Sequence, residues 1–501
     1  MEDYYPVLAA GAAIAAAVYF FIWRSSPLRS IPTVGGTDIP ILSYLSAFVF
    51  MAKCKDYVEE GYKRYYGSTF KVPMLDNWMV VVSGPKLVDE LRRRPDDELS
   101  FIEAIADIIQ TKYTLGPEPE QDPYHVDIIR EKLTRNLPLL LPEVVDELTD
   151  AVPQHIPATE TEWVSVDVMK TTQRIIARAS SRVFVGLPTC RDKEYLDLAV
   201  AFTIEVIKDR TIINFFPTFL KPLVGYLINN VSAAIKKTVK HLKPVIDERR
   251  AKMKEHGEDW SEKPNDMLQW VMEFAESRDP SYEAISQRIM LVNFAAIHTS
   301  SNSITHAIYH LAEHPEFIAP LREEIEDIIR EEGWTKAAMG KMWKLDSFFR
   351  ESQRFNGINL MSVTRKAIKD VTLQDGTVIP RGTFVVAAAY PTHHDESVYA
   401  NPEVFDPFRF ARLREEDGEG TRHQFVNTSV EYIPFGHGKH ACPGRFFAAN
   451  ELKAMLAYIV LNYDLKLPDN APPPRNIYWA TNVIPAVNGK VMFRKRQSAA
   501  V

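Results

Sequence analysis

The distribution of apolar residues separates an uncharged N-terminal stretch from a long region with the spacing of amphipathic helices. From Tyr4 to Trp23 the chain runs for 20 residues without a charge. At about 1.5 Å per residue, a helix of that length crosses a hydrocarbon core of about 30 Å. Aromatic residues lie at both ends, where transmembrane helices usually meet the lipid–water interface. We therefore predict a transmembrane anchor at residues 1–24 and a Pro- and Gly-rich hinge at residues 25–45.

The charges that flank the apolar stretch predict its orientation. Glu2 and Asp3 precede it, whereas Arg24 and Arg29 follow it. Because cytoplasmic flanks of transmembrane helices are enriched in Lys and Arg, this arrangement places the rest of the chain in the cytosol. The alternative is a cleaved signal peptide, but the basic segment that normally begins such a peptide is absent and the apolar run is long for one.

Beyond the hinge the pattern is mainly that of helices, with short β-rich segments near both ends. Two β-rich runs within residues 69–83 flank Asp76-Asn77 and predict a hairpin. Apolar positions recur at helical spacing through residues 84–357. The remaining predicted elements are short strands at 362–386, a loop at 391–410, a helix at 445–462, and a loop with terminal strands at 474–495. A mainly α chain with small β-sheets is therefore expected.

Composition and charge narrow the class of protein. Of the 501 residues, 46% are hydrophobic and 25% charged, which is typical of globular proteins and argues against extensive disorder. The net charge of −7 and the absence of a long basic tract argue against nucleic acid as a partner. The three cysteines, Cys54, Cys190 and Cys442, are widely separated, which argues against a disulfide framework and against a Cys-rich zinc site.

The most informative segment surrounds Cys442. This cysteine lies in a Gly- and Pro-rich loop directly before the predicted helix at 445–462. There the helix dipole and nearby backbone N–H groups lower the pKa of a thiol. Gly438 and Gly444 flank the cysteine, and glycine lets a backbone approach a flat ligand closely. A lone cysteine is more often a small buried apolar residue, so Cys442 alone does not establish a site.

The spacing Phe435-x-x-Gly438-x-His440-x-Cys442-x-Gly444 resembles the haem-binding signature of the cytochrome P-450 family, the haem-thiolate monooxygenases. The resemblance implies that Cys442 is the axial ligand of haem b iron, a thiolate that favours O–O cleavage. It makes Phe435, Gly438 and Gly444 part of the haem-binding loop. His440 stands where the family usually has arginine, and its expected ion pair with a haem propionate would therefore depend on pH.

A second family pattern is present upstream, at Glu351-x-x-Arg354. These residues share a helix face, and by resemblance they form a structural network with Arg409. Without the resemblance, the pair reads as an exposed ion pair worth less than about 1 kcal/mol. Arg365 matches the strand arginine that contacts a haem propionate. Arg130 is a weaker candidate for the same role, because the tryptophan usual in the family is missing.

The third pattern lies in a predicted long helix at 283–313 and contains His298 and Thr299. In the family, an acid followed by threonine delivers protons during the reaction of dioxygen. Here Ala296 replaces the usual glycine and His298 replaces the acid. By resemblance Thr299 belongs to the oxygen pocket, and His298 could relay protons because imidazole titrates near neutrality. Outside this context, such a run in mid-helix is more often solvated or bonded to the preceding turn.

Taken together, these matches show that the chain resembles the membrane-anchored, fungal type of cytochrome P-450. The implied fold is mainly α, with a long central helix over haem, small β-sheets and an N-terminal transmembrane helix. Residues 46–501 would form the catalytic domain, facing the cytosol from the endoplasmic reticulum membrane. The implied reaction inserts one oxygen atom of O2 into an apolar small molecule, a terpenoid-like or other secondary metabolite or a xenobiotic. Membrane lipid is an expected partner.

The source of electrons and the reaction class leave alternatives. No G-x-G-x-x-G follows a predicted strand, so a separate NADPH-cytochrome reductase is expected, with cytochrome b5 as a further candidate donor. A haem-thiolate isomerase or dehydratase, which needs no external electrons, is the main alternative. A non-catalytic haem sensor is another. The loops at about 95–115 and 205–230 are expected to line the substrate pocket, but their residues do not indicate a substrate.

Overall fold

The computed structural model describes residues 20–21, 23–39, 42–75 and 77–497. Most of the predicted anchor, residues 1–24, lies outside these ranges. Within them, no helix combines the length and the apolarity that crossing a membrane requires.

Helices make up most of the described chain, as the hydrophobic spacing predicts. In order, they are α1 (Leu42–Arg64), α2 (Pro85–Arg93), α3 (Phe101–Ile109), α4 (Thr111–Thr114), α5 (Glu118–Gln121), α6 (Tyr124–Ile128), α7 (Thr134–His155), α8 (Val168–Phe184), α9 (Lys193–Asn214), α10 (Lys221–Ile228), α11 (Val231–His256), α12 (Met267–Ala275), α13 (Tyr282–Glu313), α14 (Ile318–Glu332), α15 (Lys336–Lys341), α16 (Trp343–Phe355), α17 (Ala389–His393), α18 (Arg409–Arg414) and α19 (Arg445–Asn462). A π-helical segment, Ile129–Leu133, joins α6 to α7. The segment 391–410 is not entirely a loop, because α17 and α18 extend into its two ends.

The strands form small sheets, the largest of which has five strands in the order β1-β2-β8-β5-β3. The strands are β1 (Thr69–Pro73), β2 (Trp78–Val82), β3 (Leu99–Ser100), β4 (Val164–Asp167), β5 (Met361–Ala367), β6 (Val371–Thr372), β7 (Val378–Ile379), β8 (Phe384–Ala388), β9 (Tyr463–Lys466), β10 (Ile477–Trp479), β11 (Asn482–Ile484) and β12 (Lys490–Lys495). β1 and β2 pair antiparallel, which confirms the predicted hairpin. β4, β12 and β9 form a three-stranded sheet, and β6-β7 and β10-β11 form pairs.

The predicted hinge is packed against the five-stranded sheet. Thr33 bridges to Lys71 of β1, and the Lys71 ammonium donates to the carbonyl of Leu28 at 2.5 Å. Lys71 is only 1% exposed, so this contact holds the segment from inside the protein. The helix α1 begins at Leu42, within the range predicted as hinge, because its apolar residues pack onto β1.

Four helices, α7, α8, α13 and α19, pack against one another at the centre of the chain. The longest, α13, begins where the Ser281 hydroxyl accepts a hydrogen bond from the Ala284 N–H, a common N-cap. Most of the remaining buried apolar residues belong to the same core as this bundle. Because α13 is buried along most of its length, the residues it carries are held on a rigid element.

A carboxyl group is buried inside this bundle. Glu451 of α19 is fully buried and accepts a hydrogen bond from the Ser180 hydroxyl of α8 at 2.6 Å. Burial raises its pKa from the ordinary 4.5 to about 8, although Ser180 and Ser300 of α13 act in the opposite direction. The group is therefore mainly protonated at neutral pH, which avoids the cost of a buried unpaired charge.

Glu451→Gln tests this protonation state through stability. A raised pKa means that the unfolded chain releases the proton first, so the wild-type free energy of unfolding should fall as pH rises from about 4.5 to about 8. The contribution of one group is at most about 1.4 kcal/mol per pH unit. The neutral glutamine should remove that component, as measured by urea unfolding across the pH range. An exposed substitution, Glu255→Gln, should leave the slope unchanged; parallel curves for wild type and Glu451→Gln would contradict the assignment.

Candidate active site

The loop that carries Cys442 is shaped by glycines and by its own hydrogen bonds. Gly436 and Gly438 have φ values of +70° and +76°, in the left-handed region that favours glycine. A Cβ added at Gly438 would also lie 3.1 Å from the Arg92 side chain of α2. The Cys442 N–H donates to the Phe435 carbonyl at 2.8 Å, which closes the loop. The chain then enters α19 three residues after the cysteine.

The surroundings of the Cys442 thiol correct one expectation from the sequence. Burial raises its pKa above the ordinary value, even though the N–H groups of Gly444 and Arg445 and the charge of Arg445 lower it. In the protein alone, desolvation therefore raises the pKa of the thiol by more than the helix N-terminus lowers it. A thiolate here needs a cation bound directly to the sulfur, because a bound metal ion deprotonates a coordinating thiol.

Arg445 also positions the loop from the start of α19. Its guanidinium donates to the Cys442 carbonyl at 2.8 Å and to the Val426 carbonyl at 3.2 Å. Gly444, in contrast, has φ of −85°, and a Cβ there would meet no protein atom within 4 Å. Neither the backbone conformation nor the neighbouring protein atoms therefore require glycine at position 444. A flat ring lying against the loop would require it, because a side chain there would be in the way.

His440 is held by an acid and an aromatic ring. Its Nε2 lies 2.6 Å from Asp96 Oδ1, and its ring stacks on Phe101 with centroids 5.1 Å apart. Burial lowers the pKa of His440; Asp96 opposes that effect, whereas Arg365 adds to it. One imidazole nitrogen is therefore already engaged by the protein. Arg365 is close enough for its charge to act on the ring.

Arg365 reaches the interior through an irregularity in β5. The register of β5 against β8 shifts between Ser362 and Arg365, with Val363 at φ +52°. Such a bulge re-aims the side chains that follow it. Arg365 is 1% exposed, and its Nη1 donates a hydrogen bond to the Thr364 carbonyl at 2.8 Å. Its Nε and Nη2 are buried without a partner among the described residues.

The unpaired guanidinium nitrogens of Arg365 would be stabilised by a bound anion. Burial lowers its pKa only to about 10, so the group stays charged at neutral pH. A buried charge without a partner is costly, and a carboxylate is the geometric complement of a guanidinium. The arrangement of Arg365 near His440 and the Cys442 loop therefore fits a ligand that carries carboxylates beside the thiol, as the propionates of haem would be.

Arg130 lies in the π-helical segment and reaches the same loop from outside. It is exposed and donates from Nη2 to the Lys439 carbonyl at 3.0 Å. Nearby His125 instead lies 3.2 Å from Arg288 of α13. Arg130 thus contacts the backbone of the Cys442 loop, and His125 lies against α13.

The residues Glu351, Arg354 and Arg409 form a buried network. Arg354 donates twice to Glu351, each time at 2.8 Å, and both side chains are fully buried. Arg409 donates to the same carboxylate at 3.3 Å. Arg354 also donates to the carbonyls of His393 and Pro402. Because both side chains are buried, this is not the weak exposed ion pair that the two residues alone would suggest. The network ties α16 to the segment between α17 and α18.

Thr299 and His298 lie near the middle of α13. The Thr299 hydroxyl donates to the Ala295 carbonyl at 2.8 Å, so the hydroxyl oxygen keeps its capacity to accept. Burial and the charge of Arg210 both lower the pKa of His298. Its Nε2 is buried without a partner in the described chain. His298 is therefore neutral at pH 7, and its titration is expected below pH 6.5 rather than near neutrality.

The structure brings most of the predicted site residues into one neighbourhood. Cys442, His440, Arg365 and Arg130 converge on the loop before α19, whereas Thr299 and His298 lie on α13. Among the described residues, no hydrogen bond or ion pair joins the two groups directly. The connection is through packing, since Ser300, next to Thr299, lies close enough to Glu451 of α19 to lower its pKa.

Several residues of the site carried no signal in the sequence. Asp96 and Phe101, which hold His440, precede and begin α3 in a segment without a recognisable motif. Arg92 packs beneath Gly438, and Arg445 supports the Cys442 carbonyl. Of these, only Arg445 adjoins the motif, and only its position next to Cys442 could have suggested a role.

His310 and His393, which lie outside the cysteine loop, have structural partners. His310 stacks on Phe405 with centroids 4.0 Å apart and contacts Asn356. His393 accepts from the Ile433 N–H at 3.2 Å, and Asp395 accepts from the Tyr62 hydroxyl. Within the part of the chain that the structure describes, no group of three or more His, Cys, Asp or Glu residues could hold a metal ion.

A cavity of about 810 Å³ lies between α3, the end of α9 and the five-stranded sheet. Its apolar walls include Met51, Met79, Ile108, Phe384 and Trp479. Ile108 and the end of α9 fall within the loops that the sequence assigns to the substrate pocket. The volume is in the range usual for small-molecule sites.

A cysteine loop at a helix N-terminus, a buried arginine beside it and a long helix carrying Thr299 define a haem-thiolate type of protein. Comparison with known proteins agrees. The family model described as Cytochrome P450 matches residues 35–493. The chain therefore belongs to the cytochrome P450 family, a family of haem-thiolate enzymes whose cofactor is haem, and it is a monooxygenase of the fungal type.

The similarity extends over the full chain. Cytochrome P450 monooxygenase 151 of Postia placenta is 52% identical over 99% of this chain and 100% of its own length. Ent-kaurene oxidase of Gibberella intermedia is 30% identical over 95% of this chain and 90% of its own. A solved structure of retinoic acid bound cyanobacterial CYP120A1 matches with a TM-score of 0.69 at 19% identity, covering 93% of this chain and 99% of that one. That structural match confirms the mainly helical fold.

Cys442→Ser tests the assignment of the haem ligand. The reduced carbon monoxide complex of the wild type should show the red-shifted Soret band of thiolate ligation, because sulfur donates electron density to the iron. Cys442→Ser should lose that band. Cys190→Ser, which changes a buried cysteine elsewhere, should keep it. A red-shifted band in Cys442→Ser would show that another residue is the ligand.

Proposed function

We propose that this chain inserts one oxygen atom of O2 into an apolar small molecule, while the other atom leaves as water with two protons and two electrons. The observation that carries the proposal is the buried guanidinium of Arg365 beside the Cys442 loop, with unpaired donors that fit a haem carboxylate. Haem bound there supplies the redox chemistry that activates dioxygen. The 810 Å³ cavity next to α9 supports a substrate of moderate size.

The class of substrate is proposed from the cavity and from one relative. Side chains such as Met79, Phe384 and Trp479 line the cavity with apolar surface. The relative named ent-kaurene oxidase takes its name from a terpene hydrocarbon. We therefore favour a terpenoid-like secondary metabolite over a hydrophilic substrate.

The residues of α13 would move protons rather than bind the substrate. Thr299 holds its hydroxyl proton against the Ala295 carbonyl and presents the oxygen as an acceptor. It can accept a proton from a neighbouring donor and release its own in the opposite direction. His298 is neutral at pH 7, so it can relay a proton only by accepting at one nitrogen while donating from the other.

Electrons are proposed to come from a separate NADPH-cytochrome reductase, with cytochrome b5 as a further donor. Purified reductase and NADPH should be required for product formation, measured by mass spectrometry of the oxidised substrate with labelled O2. Label in the product supports monooxygenation. Turnover of an oxygenated substrate without NADPH would instead establish the isomerase or dehydratase alternative.

We also propose that the chain is anchored in the endoplasmic reticulum membrane, with the catalytic domain in the cytosol. The uncharged stretch from Tyr4 to Trp23 supports an anchor. An exposed apolar surface supports contact with lipid; we call it the α1–α10 patch. It comprises Leu42, Leu45, Phe48, Val49, Phe215, Phe219, Leu223, Tyr226 and Leu227. Phe48 and Phe215 stack with centroids 6.2 Å apart, which makes the patch continuous. Its α1 side begins at Leu42, within the predicted hinge and shortly after the predicted anchor.

Thr299→Ala tests proton delivery. The variant should keep haem but divert reduced oxygen into hydrogen peroxide, because positioned proton transfers contribute about 10²–10⁴-fold to rates. The measurement is peroxide released per NADPH consumed, with substrate and reductase present. Thr299→Ser, which keeps the hydroxyl, should restore most of the coupling. A Thr299→Ala enzyme coupled as tightly as wild type would remove Thr299 from the mechanism.

His298 is tested in the same assay across pH. If its imidazole relays protons, His298→Gln should lower coupling, and wild-type coupling should change below pH 6.5, because burial and Arg210 lower the pKa. If His298 only fills space, His298→Gln should be silent and only bulkier residues should reduce coupling. If His298→Gln leaves coupling unchanged at every pH, His298 does not relay protons.

The α1–α10 patch is tested on a chain that lacks residues 1–23. This chain should fold and load haem, yet still bind phosphatidylcholine vesicles. Replacing Phe219, Tyr226 and Leu227 together by serine should weaken vesicle binding at least about tenfold, since each apolar side chain removed from water contributes about 1.5–3 kcal/mol. Vesicle co-sedimentation gives the measurement.

The matched control replaces exposed apolar residues that lie elsewhere, Leu139 and Val404, by serine. These changes should leave vesicle binding unchanged. Equal losses in the two variants would mean that general surface hydrophobicity, and not the α1–α10 patch, holds the protein on the membrane.

A further inference from the structure

The 810 Å³ cavity has charged groups on its walls that the proposed chemistry does not use. An acidic group comprises Glu103 and Asp107 of α3 and Glu120 of α5. Lys366 of β5 lies among these acids, 2.6 Å from Asp107 and 3.8 Å from Glu103. Burial raises the pKa of Glu120, and the charges of Glu103 and Asp107 add to that effect. This side of the cavity is thus acidic and would repel an anion.

Arg210 of α9 lies on the wall of the same cavity, and none of these acids pairs with it. It has neither a hydrogen bond nor an ion pair among the described residues. Burial lowers its pKa, and no carboxylate acts against that effect. Its charge lowers the pKa of His298, which places the guanidinium close to the α13 site. His298 Nε2 is likewise buried without a partner.

The other cations on the cavity wall are already engaged. Lys366 pairs with Asp107, and Lys221 donates to the Asn214 side chain at 3.0 Å. Lys112 lies over the Tyr113 ring, 5.6 Å from its centroid. Asn214, one turn after Arg210, is itself held by Gln110 at 2.9 Å. Arg210 therefore differs from these cations in having no hydrogen bond, ion pair or aromatic ring contact among the described residues.

A guanidinium in such a place is unfavourable without an anion. Partial removal of the charge from water costs free energy that no protein group here returns. Arginine presents a planar fork of donors that matches a carboxylate through two parallel hydrogen bonds. An apolar cavity with one unpaired arginine is therefore suited to an apolar molecule that ends in a carboxylate.

We propose that Arg210 is a specificity-determining residue that pairs with a carboxylate on an otherwise apolar substrate. This inference rests on the proposed function and deepens it by naming the substrate class. The acid group on α3 and α5 repels the substrate carboxylate, whereas Arg210 attracts it, so the substrate binds in one direction. Its carboxylate end lies next to α13, and the distance from that end selects which carbon reaches the oxygen pocket.

The experiment compares apolar acids with their methyl esters on the full-length holoenzyme. The probes are three pairs of different shape: abietic acid, dodecanoic acid and oleanolic acid, each with its methyl ester. Dissociation constants come from the substrate-induced shift of the Soret band, and ligand-induced changes in melting temperature give a readout independent of the haem spectrum. At least one acid should bind about 10- to 100-fold more tightly than its ester, as expected for hydrogen bonds to a charged group.

Variants assign the preference to Arg210. Arg210→Gln should weaken binding of that acid about 10- to 100-fold and leave its ester within about threefold. Arg210→Lys should keep part of the preference. Lys208→Gln removes an exposed cation of the same helix that does not line the cavity, and it should change neither constant. A preference for the acid that survives in Arg210→Gln would overturn the proposal, as would equal loss for acid and ester.

The outcomes also separate this inference from the proposed function. If esters bind and are oxidised with NADPH and reductase but no acid is preferred, the carboxylate inference fails and the monooxygenase proposal stands. If none of the six compounds binds, the inference fails as well, since an apolar carboxylate is then not what the cavity accepts. Absence of labelled oxygen from all products, despite preferential binding of an acid, would count against the monooxygenase proposal alone.

Discussion

The ion pair between Glu351 and Arg354 is the constraint on which the region around the cysteine loop depends. Both side chains are fully buried, so each charge has only the other and a few carbonyls in place of water. Removing one partner of such a pair typically costs about 3–5 kcal/mol, because the other is left uncompensated. The pair anchors Arg409 and the carbonyls of residues 393–404 to α16. The segment that leads towards the cysteine loop is therefore held from within.

The thiol site follows from two local departures from regular structure. The bulge in β5 turns Arg365 inward, and the positive φ values at Gly436 and Gly438 turn the chain before Cys442. Burial then raises the pKa of Cys442 and leaves two donors of Arg365 unpaired. Both features are unfavourable for the protein alone and both are relieved by a metal–carboxylate ligand. Haem would therefore supply a ligand for the Cys442 sulfur and hydrogen-bond acceptors for the Arg365 donors.

On the other side, α13 combines rigidity with unusual chemistry. Its buried faces hold the helix within the bundle, and Thr299 and His298 lie near its middle. His298 is neutral where the family has an acid, and Arg210 lies near it. The proton-delivery side of this enzyme therefore carries more positive charge than the family pattern implies, which suits a substrate that brings a negative charge of its own.

Periodicity and motif spacing were enough to predict the mainly helical fold, the β1–β2 hairpin, the helices α13 and α19, and the candidate residues Cys442, Glu351 and Arg354. These are properties of short segments, because apolar spacing decides which face of a helix is buried. The predicted anchor stays a prediction, since most of it lies outside the described residues.

Only the tertiary structure decided the environments of the charged groups. Residues distant in sequence decide whether the Glu351–Arg354 pair is exposed. They also decide the protonation of the Cys442 thiol and of His298, and which groups lie beside Arg365 and Arg210. Burial and long-range charge set these pKa values, and neither quantity is a property of a short segment. The sequence by itself therefore determined the elements and the reactive residues, whereas folding determined their protonation and their partners.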